Sequence, residues 1–535
     1  MKADYVVVGA GAAGCALANR LSEDPRNTVI LIEAGGSDRS PLIHAPGGLM
    51  PLLISGKHSW NFKSTPQQQL NGRTMFLPRG KVLGGGSSIN GMIYDRGTPG
   101  DYDGWAALGN QGWAFEDVLP YFKRAETYHP DPSAAFHGAS GPVHISRPGV
   151  ENPLAEAFLR AGQEAGYPYN PDTNGADRLG FGPIDMFVHR GRRSSAAVAY
   201  LRPAKMRRNL TTITQAHVIK IVVQDGRAKA VSLIGRSGVQ QIDATKEIII
   251  CAGGIVSPQL LMLSGIGDEA HLRARGIKPV LHLPGVGQNL QDHLSVYIKQ
   301  AATQPVSMYR HVSPINAMIA FANYVAFRKG PLASSGMETV GYVRTRPDVA
   351  EPDAKLSFML AVMNDELTGL MPRHGFAAHV CVVRPKSRGT VTLLSADPLA
   401  APAIDHRYLT DPQDIVDLRN AIRVTRDIFG RPAFDQFRGE ELQPGASVAS
   451  DEQIDAFIRQ NANADYHTSG TCKMGSDPMA VVDAQLRVRG IDALRVADTS
   501  IMPTLVGGNT NMPAIMIGEK AADLIQNRSA RPTTI

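Results

Sequence analysis

Residues Tyr5–Glu33 read YVVVGAGAAGCALANRLSEDPRNTVILIE. The run Tyr5–Val8 is short, apolar and β-branched, which predicts a buried parallel strand. Gly9, Gly11 and Gly14 then complete G-x-G-x-x-G. Gly9 permits a tight turn, Gly11 lets backbone approach a pyrophosphate, and Gly14 lets the following helix lie close to the sheet. Ala12 and Ala13 open that helix, whose N-terminal N–H groups and positive dipole end suit phosphates. A second apolar run, Thr28–Ile32, ends in Glu33, nineteen residues after Gly14. An acid there accepts bonds from an adenosine ribose and repels a 2′-phosphate, which disfavours NADP. Strand, glycines, helix, strand and acid in this order predict an α/β dinucleotide-binding unit. They do not separate FAD from NAD.

The chain of 535 residues is long enough for more than one domain and a large core. With 43% apolar and 19% charged residues it has the composition of a soluble globular protein. Apolar runs are far shorter than a membrane span, and the first strand starts too close to Met1 for a signal peptide. The expectation is a cytoplasmic protein, unless it rides on a membrane surface. Cys15, Cys251, Cys381 and Cys472 make no CxxC pair or zinc pattern, so reduced, buried thiols are expected. No metal constellation is evident. The net charge of +6 is scattered, with modest clusters at Arg190, Arg192 and Arg193 and over 202–208. No aromatic–basic interleaving points to nucleic acid.

Arg79–Tyr94 reads RGKVLGGGSSINGMIY. Three glycines and two serines cannot make a good helix interior. They suit a backbone wrapped around a ligand, offering N–H and hydroxyl donors. The apolar Val82, Leu83, Ile89, Met92 and Ile93 argue against a flexible linker.

This stretch, extended to RGKVLGGGSSINGMIYDRG, resembles the first signature of the glucose–methanol–choline oxidoreductase family. Gly254–Gly267, GIVSPQLLMLSGIG, resembles the second, with Gly254 where Ser, Thr, Ala or Pro is expected. Leu283–His293, YHTSGTCKMG and GNTNMPAIMIGEKAADLI extend the likeness over the whole chain. Within the family the chain looks most like bacterial alkanol, polyethylene-glycol and choline dehydrogenases. The resemblance implies FAD and oxidation of an alcohol, with transfer of electrons to a quinone, a dye-like acceptor or O2. It implies a Rossmann-like FAD-binding domain (α/β, α+β overall) into which a substrate domain of antiparallel sheet backed by helices is inserted. The division drawn is 1–155, 194–301 and 464–535 for FAD, and 156–193 and 302–463 for substrate.

The resemblance also assigns residues. Ala34, Trp60, Arg79, Val82, Leu83, Gly84, Gly85 and Ser88 belong to the cofactor site. Asn90, Gly91, Met92 and Ile93 run along the isoalloxazine, Val218 touches the adenine side, and Ala252 and Gly253 lie beside the cofactor. Ile89 stands where covalent members carry a histidine, so dissociable FAD is expected. Ser257 reads as an N-cap with Pro258 at the first helical position. Asn209–Val223 and Ala230–Ile234 read as strands. Val380, Val382 and Val391 fit half-buried sheet positions. Asp498, Met512 and Pro513 complete the cofactor set, and a helix from Pro513 aims its positive end at the flavin.

Alcohol oxidation needs a base for the hydroxyl proton and a group that holds the oxygen as alkoxide character develops. His467, in YHTSGT, is the candidate base, because imidazole titrates near neutrality. Tyr466 lines the pocket wall. Asn509 is placed to hold the hydroxyl, and Asn511 lies near the flavin's pyrimidine edge. Either asparagine could instead cap the helix. Glu338 reads as a surface or structural carboxylate rather than a partner for a trimethylammonium group. His44, His58 and His293 claim no more than packing or flavin contact. An O2-using oxidase and a non-redox hydroxynitrile-lyase-like member are the competing readings.

Overall fold

The computed structural model describes residues 1–131, 134–364 and 369–528. The run Tyr5–Val8 lies in a strand, Lys2–Val8, at the centre of a seven-stranded sheet. Val29–Glu33 flanks it on one side and the long strand Gly238–Ile250 on the other, both parallel to it. Leu210–Thr214 extends the parallel part beyond Val29–Glu33, and Leu494–Val496 pairs with the end of Gly238–Ile250. Arg227–Gly235 and His217–Gln224 add an antiparallel edge. Every residue of Val29–Glu33 is buried, as a strand covered on both faces requires.

The single strand predicted over 209–223 is two. Gln215 adopts φ 56°, and the N–H groups of Gln215 and Ala216 donate to the carbonyls of Gly35 and Glu33. That left-handed break turns the chain from the parallel sheet into the hairpin. The helix Gly253–Leu263 also begins earlier than predicted, so Ser257 and Pro258 lie inside it. The Ser257 hydroxyl instead donates to Asp498 Oδ2 at 2.6 Å and accepts from the Ala252 N–H. Pro258 has no N–H for the Gly254 carbonyl. That carbonyl accepts from Thr471 Oγ1 at 2.7 Å, so the interior proline leaves no unpaired acceptor there.

A second seven-stranded sheet is antiparallel throughout. Its order is Arg438–Gln443, Leu294–Ala302, Gly375–Val382, Ala354–Met359, Met337–Val343 and Gly180–Pro183, with Asn463–Ala464 also on Leu294–Ala302. Leu294–Ala302 lies mostly on the N-terminal side of the boundary drawn from sequence at residue 301.

Period-2 alternation sorts this sheet's faces. Val296, Ile298, Leu356, Phe358, Val380 and Val382 join a core with Ile415, Leu418 and Ile422 of the helix Pro412–Gly430. Val380 and Val382 are therefore buried rather than half-buried, and so is Val391 in the separate strand Thr390–Thr392. The alternate residues Tyr297, Lys355, Ser357, Met359 and His379 line a large cavity. All four cysteines are buried and free, and no described helix is long and apolar enough to cross a membrane.

Candidate active site

One cavity of about 950 Å³ runs from the glycine turn of the first sheet to the inner face of the second. Among the helices that begin on its wall are Ala12–Leu21 and Asn511–Gln526. Their N-cap residues are Gly11 and Thr510, and neither carries a side-chain cap bond. Neither Asn509 nor Asn511 is the cap residue. Two uncapped N-termini on one cavity present unpaired amides and positive dipole ends to a ligand with acceptors at both places.

The predicted site residues converge here, with seven exceptions. Gly14, Val82, Leu83, Gly84, Ser88, Met512 and Pro513 are not on the cavity wall. Gly14 serves packing: a Cβ there would sit 1.9 Å from the Gly9 carbonyl oxygen. Gly84, at φ 88°, donates its N–H to the Ala10 carbonyl, and Ser88 Oγ donates to the Leu83 carbonyl. Val82, Met512 and Pro513 are buried behind the wall, and Leu83 is packed against the core. Gly85 is on the wall, where a Cβ would lie 2.7 Å from Gly11 Cα. The two glycine stretches thus meet backbone to backbone and form a cradle without side chains.

Glu33 reaches the wall and also holds the turn, accepting from Ala10 N–H at 3.0 Å and Gly35 N–H at 2.8 Å. Burial pushes its carboxyl up to about 7. Asp498 accepts from Gly253 N–H at 2.8 Å as well as from Ser257, pinning the turn that carries Ala252 and Gly253.

At the far end of the cavity, a hydrogen-bonded chain sets the state of His467. The His293 Nε2 lies 3.0 Å from the Val383 carbonyl, which can only accept. Burial pushes His293 down to about 4, so it is neutral and its Nδ1 carries the lone pair. His467 Nδ1, 2.9 Å away, must then donate to it. His467 Nε2 is left without a proton, 3.0 Å from Asn509 Nδ2, from which it accepts. Burial pushes His467 down to about 3 against the opposing pull of Asp465, so the ring stays neutral.

Asn509 is oriented in turn by Lys355, whose ammonium donates to its Oδ1. Lys355 pairs with buried Asp95 at 3.2 Å, and Asp95 also holds Arg178 and the Tyr342 hydroxyl. The segment carrying His467 is clamped as well. Tyr466 adopts φ 66°, and its carbonyl and Thr468 Oγ1 accept from Arg79. The His467 N–H donates to Asp292 Oδ1 at 2.5 Å. Burial pushes Asp292 up to about 7.

Sequence reasoning missed Lys355, Asp95, Asp292 and the part played by His293. Alternation of Lys355, Ser357 and Met359 with the core residues Leu356 and Phe358 was the available signal for Lys355. Glu338 is off the wall. Its Oε2 accepts from the Glu151 and Asn152 N–H groups, each at 3.2 Å. The fold also gathers His129, His144 and His189, which no sequence pattern announced. His129 Nε2 and His144 Nδ1 are hydrogen-bonded to each other at 3.0 Å, so those two lone pairs do not converge on a common point.

Two sequence models described as GMC oxidoreductase match the chain, over residues 3–295 and 385–518. An oxygen-dependent choline dehydrogenase of Sinorhizobium fredii (strain NBRC 101917 / NGR234) is 46% identical over 527 residues, 98% of this chain and 96% of that protein. One from Rhizobium meliloti (strain 1021) is 46% identical over 530 residues, 99% and 96% of the two chains. Among solved structures, pyridoxine 4-oxidase from Mesorbium loti superimposes with a TM-score of 0.90 at 32% identity, covering 98% of this chain and 99% of that one. A variant of formate oxidase from Aspergillus oryzae RIB40 superimposes with a TM-score of 0.92 at 28% identity, covering 98% of both.

Proposed function

The chain belongs to the GMC oxidoreductase family, binds FAD and oxidises CH–OH groups, and from that premise we propose that it converts an uncharged primary alcohol to its aldehyde with His467 as base. The observation that carries this reading is the unprotonated His467 Nε2 facing Asn509 on the cavity wall. The alcohol hydroxyl displaces Asn509 Nδ2 from the single Nε2 lone pair and donates there, and Nε2 takes its proton. Asn509 Nδ2 carries a second hydrogen for the substrate oxygen and holds it as charge develops. His293 keeps the His467 tautomer, and Lys355 keeps the Asn509 amide from turning over. Bound FAD supplies the acceptor for the hydride that leaves the carbinol carbon.

FAD would lie along the cavity without a covalent link, since Ile89 stands where covalent members carry a histidine. The helix start at Gly11 would serve the pyrophosphate, Glu33 the adenosine ribose, and the start at Asn511 the pyrimidine edge of the ring. The first sheet with its helices forms the FAD-binding part, and the inner face of the second sheet supplies the substrate pocket. Electrons pass on to a quinone or another acceptor. The relatives named as oxygen-dependent favour O2 as the second reading for that acceptor.

Those relatives are also named for choline. Two observations favour a neutral substrate here. Lys355 places an ammonium one hydrogen bond from the amide that holds the hydroxyl, and Glu338 is spent on backbone amides away from the cavity. The test pairs choline with its carbon isostere, in which a tert-butyl group replaces trimethylammonium. Anaerobic flavin reduction should be faster with the isostere. Faster reduction by choline would overturn the neutral-substrate reading, and reduction by neither would favour other primary alcohols or cyanohydrin cleavage.

A further inference from the structure

The helix Pro314–Phe327, PINAMIAFANYVAF, carries no charge and buries only Ala320 and Tyr324. Ile315, Met318, Phe321 and Phe327 keep 68, 65, 61 and 69% of their surface exposed. At helical spacing Ile315, Met318, Ile319 and Val325 share an outward stripe about 120° wide. The opposite stripe holds Ala317, Ala320 and Tyr324. Ala317, Ala320 and Phe321 line the active-site cavity. A second short helix, Leu49–Ser55, borders the same cavity with Met50 and Leu53 and exposes Ile54. One cavity is therefore rimmed by two exposed apolar segments.

Along the segment that carries the helix, the charges have one sign. No acidic residue occurs from Gln304 to Met337. Arg310 precedes the helix, and Arg328 and Lys329 follow it, all exposed. Exposed Arg190 and Arg192 join the last two, because Tyr324 Oη donates to the Gly191 carbonyl at 3.0 Å. A second copy of the chain fits this patch poorly. Antiparallel helices related by a twofold axis would set Arg310 against the partner's Arg328 and Lys329, and parallel ones would set those cations against themselves. Between Gln304 and Met337 there is no carboxylate to relieve either. An anionic lipid surface meets both properties, taking the apolar stripe below its headgroups and the cations among them.

We propose that Pro314–Phe327, with the exposed edge of Leu49–Ser55, docks the protein on an anionic bilayer and sets the cavity mouth against it. The proposal does not depend on which alcohol is oxidised. The full-length, FAD-loaded protein should float with vesicles of phosphatidylcholine and phosphatidylglycerol, more than with phosphatidylcholine alone, and less as salt is raised. The double variant Ile315→Glu, Ile319→Glu should lose flotation by about tenfold or more while keeping its FAD. Neither residue lines the cavity, so flavin reduction by a soluble alcohol should be unchanged. Arg328→Gln with Lys329→Gln should narrow the difference between the two vesicle types. Failure of the unaltered protein to float with either vesicle overturns the proposal. So does flotation that the double glutamate variant retains, or a dimer without flotation that the same variant dissociates, which would assign the stripe to a second copy.

Discussion

Replacing His293 by alanine probes the tautomer chain at its least obvious member. His293 is hydrogen-bonded to the Val383 carbonyl and to His467, and its Nδ1 is the acceptor for the His467 Nδ1 proton at 2.9 Å. In the alanine variant that N–H is buried without its partner, and the ring loses its reason to leave Nε2 bare. An unsatisfied buried donor costs about 1–3 kcal/mol. Applied to the reactive tautomer, that is a loss of about 5- to 150-fold in the rate of flavin reduction. The pH profile separates this role from loose packing. In the native protein His467 lies near 3, so its lone pair is available at all pH values above about 4, and the rate should be flat on that side. Without His293, Asp465 Oδ2, 3.7 Å from Nδ1 and too far to accept its proton in a hydrogen bond, remains as a charge beside the ring. A carboxylate there favours the protonated ring and raises its pKa. The acid limb should therefore move to higher pH, with activity lost as pH falls through the new value. The assay is stopped-flow flavin reduction under anaerobic conditions across pH. An unchanged rate with an unchanged profile would refute the tautomer chain.

Lys355→Met removes the ammonium that orients Asn509. It should slow reduction by neutral alcohols by about tenfold, the cost of roughly one charge-assisted hydrogen bond, and narrow the gap between choline and its carbon isostere. A rate and preference like those of the native protein would free Lys355 from both roles. Gly14→Ala puts a Cβ into the Gly9 carbonyl oxygen, a clash with backbone. It should cost about 1–3 kcal/mol or more and yield protein depleted in flavin; full FAD content by absorbance would show that the helix can move aside.

Much of the architecture was legible because it rests on local pattern. The fingerprint from Tyr5 to Glu33 placed the central strands, the helix and the ligand-facing turn, and the resemblance carried His467 and Asn509 to one place. What escaped was set by contacts between distant parts of the chain. Pro258 looks like a helix start until Thr471 is seen to satisfy the carbonyl that the proline leaves unpaired. The strand expected over 209–223 breaks at Gln215 because Glu33 and Gly35 take its amides, which no local propensity reports. Lys355 reads as an ordinary strand lysine; only the pairing of its strand with Met337–Val343 and Gly375–Val382 turns its face toward the cavity. His293 matters through a carbonyl ninety residues away at Val383.

We propose His467 as the group that takes the hydroxyl proton in an FAD-dependent alcohol oxidation, and this role can be measured directly. It is tested by comparing anaerobic flavin bleaching by a panel of primary alcohols in the native protein and in His467→Ala, both loaded with FAD. The geometry predicts bleaching in the native protein and a loss of about 100-fold or more in the variant, with the flavin retained. Equal bleaching in both would contradict the assignment.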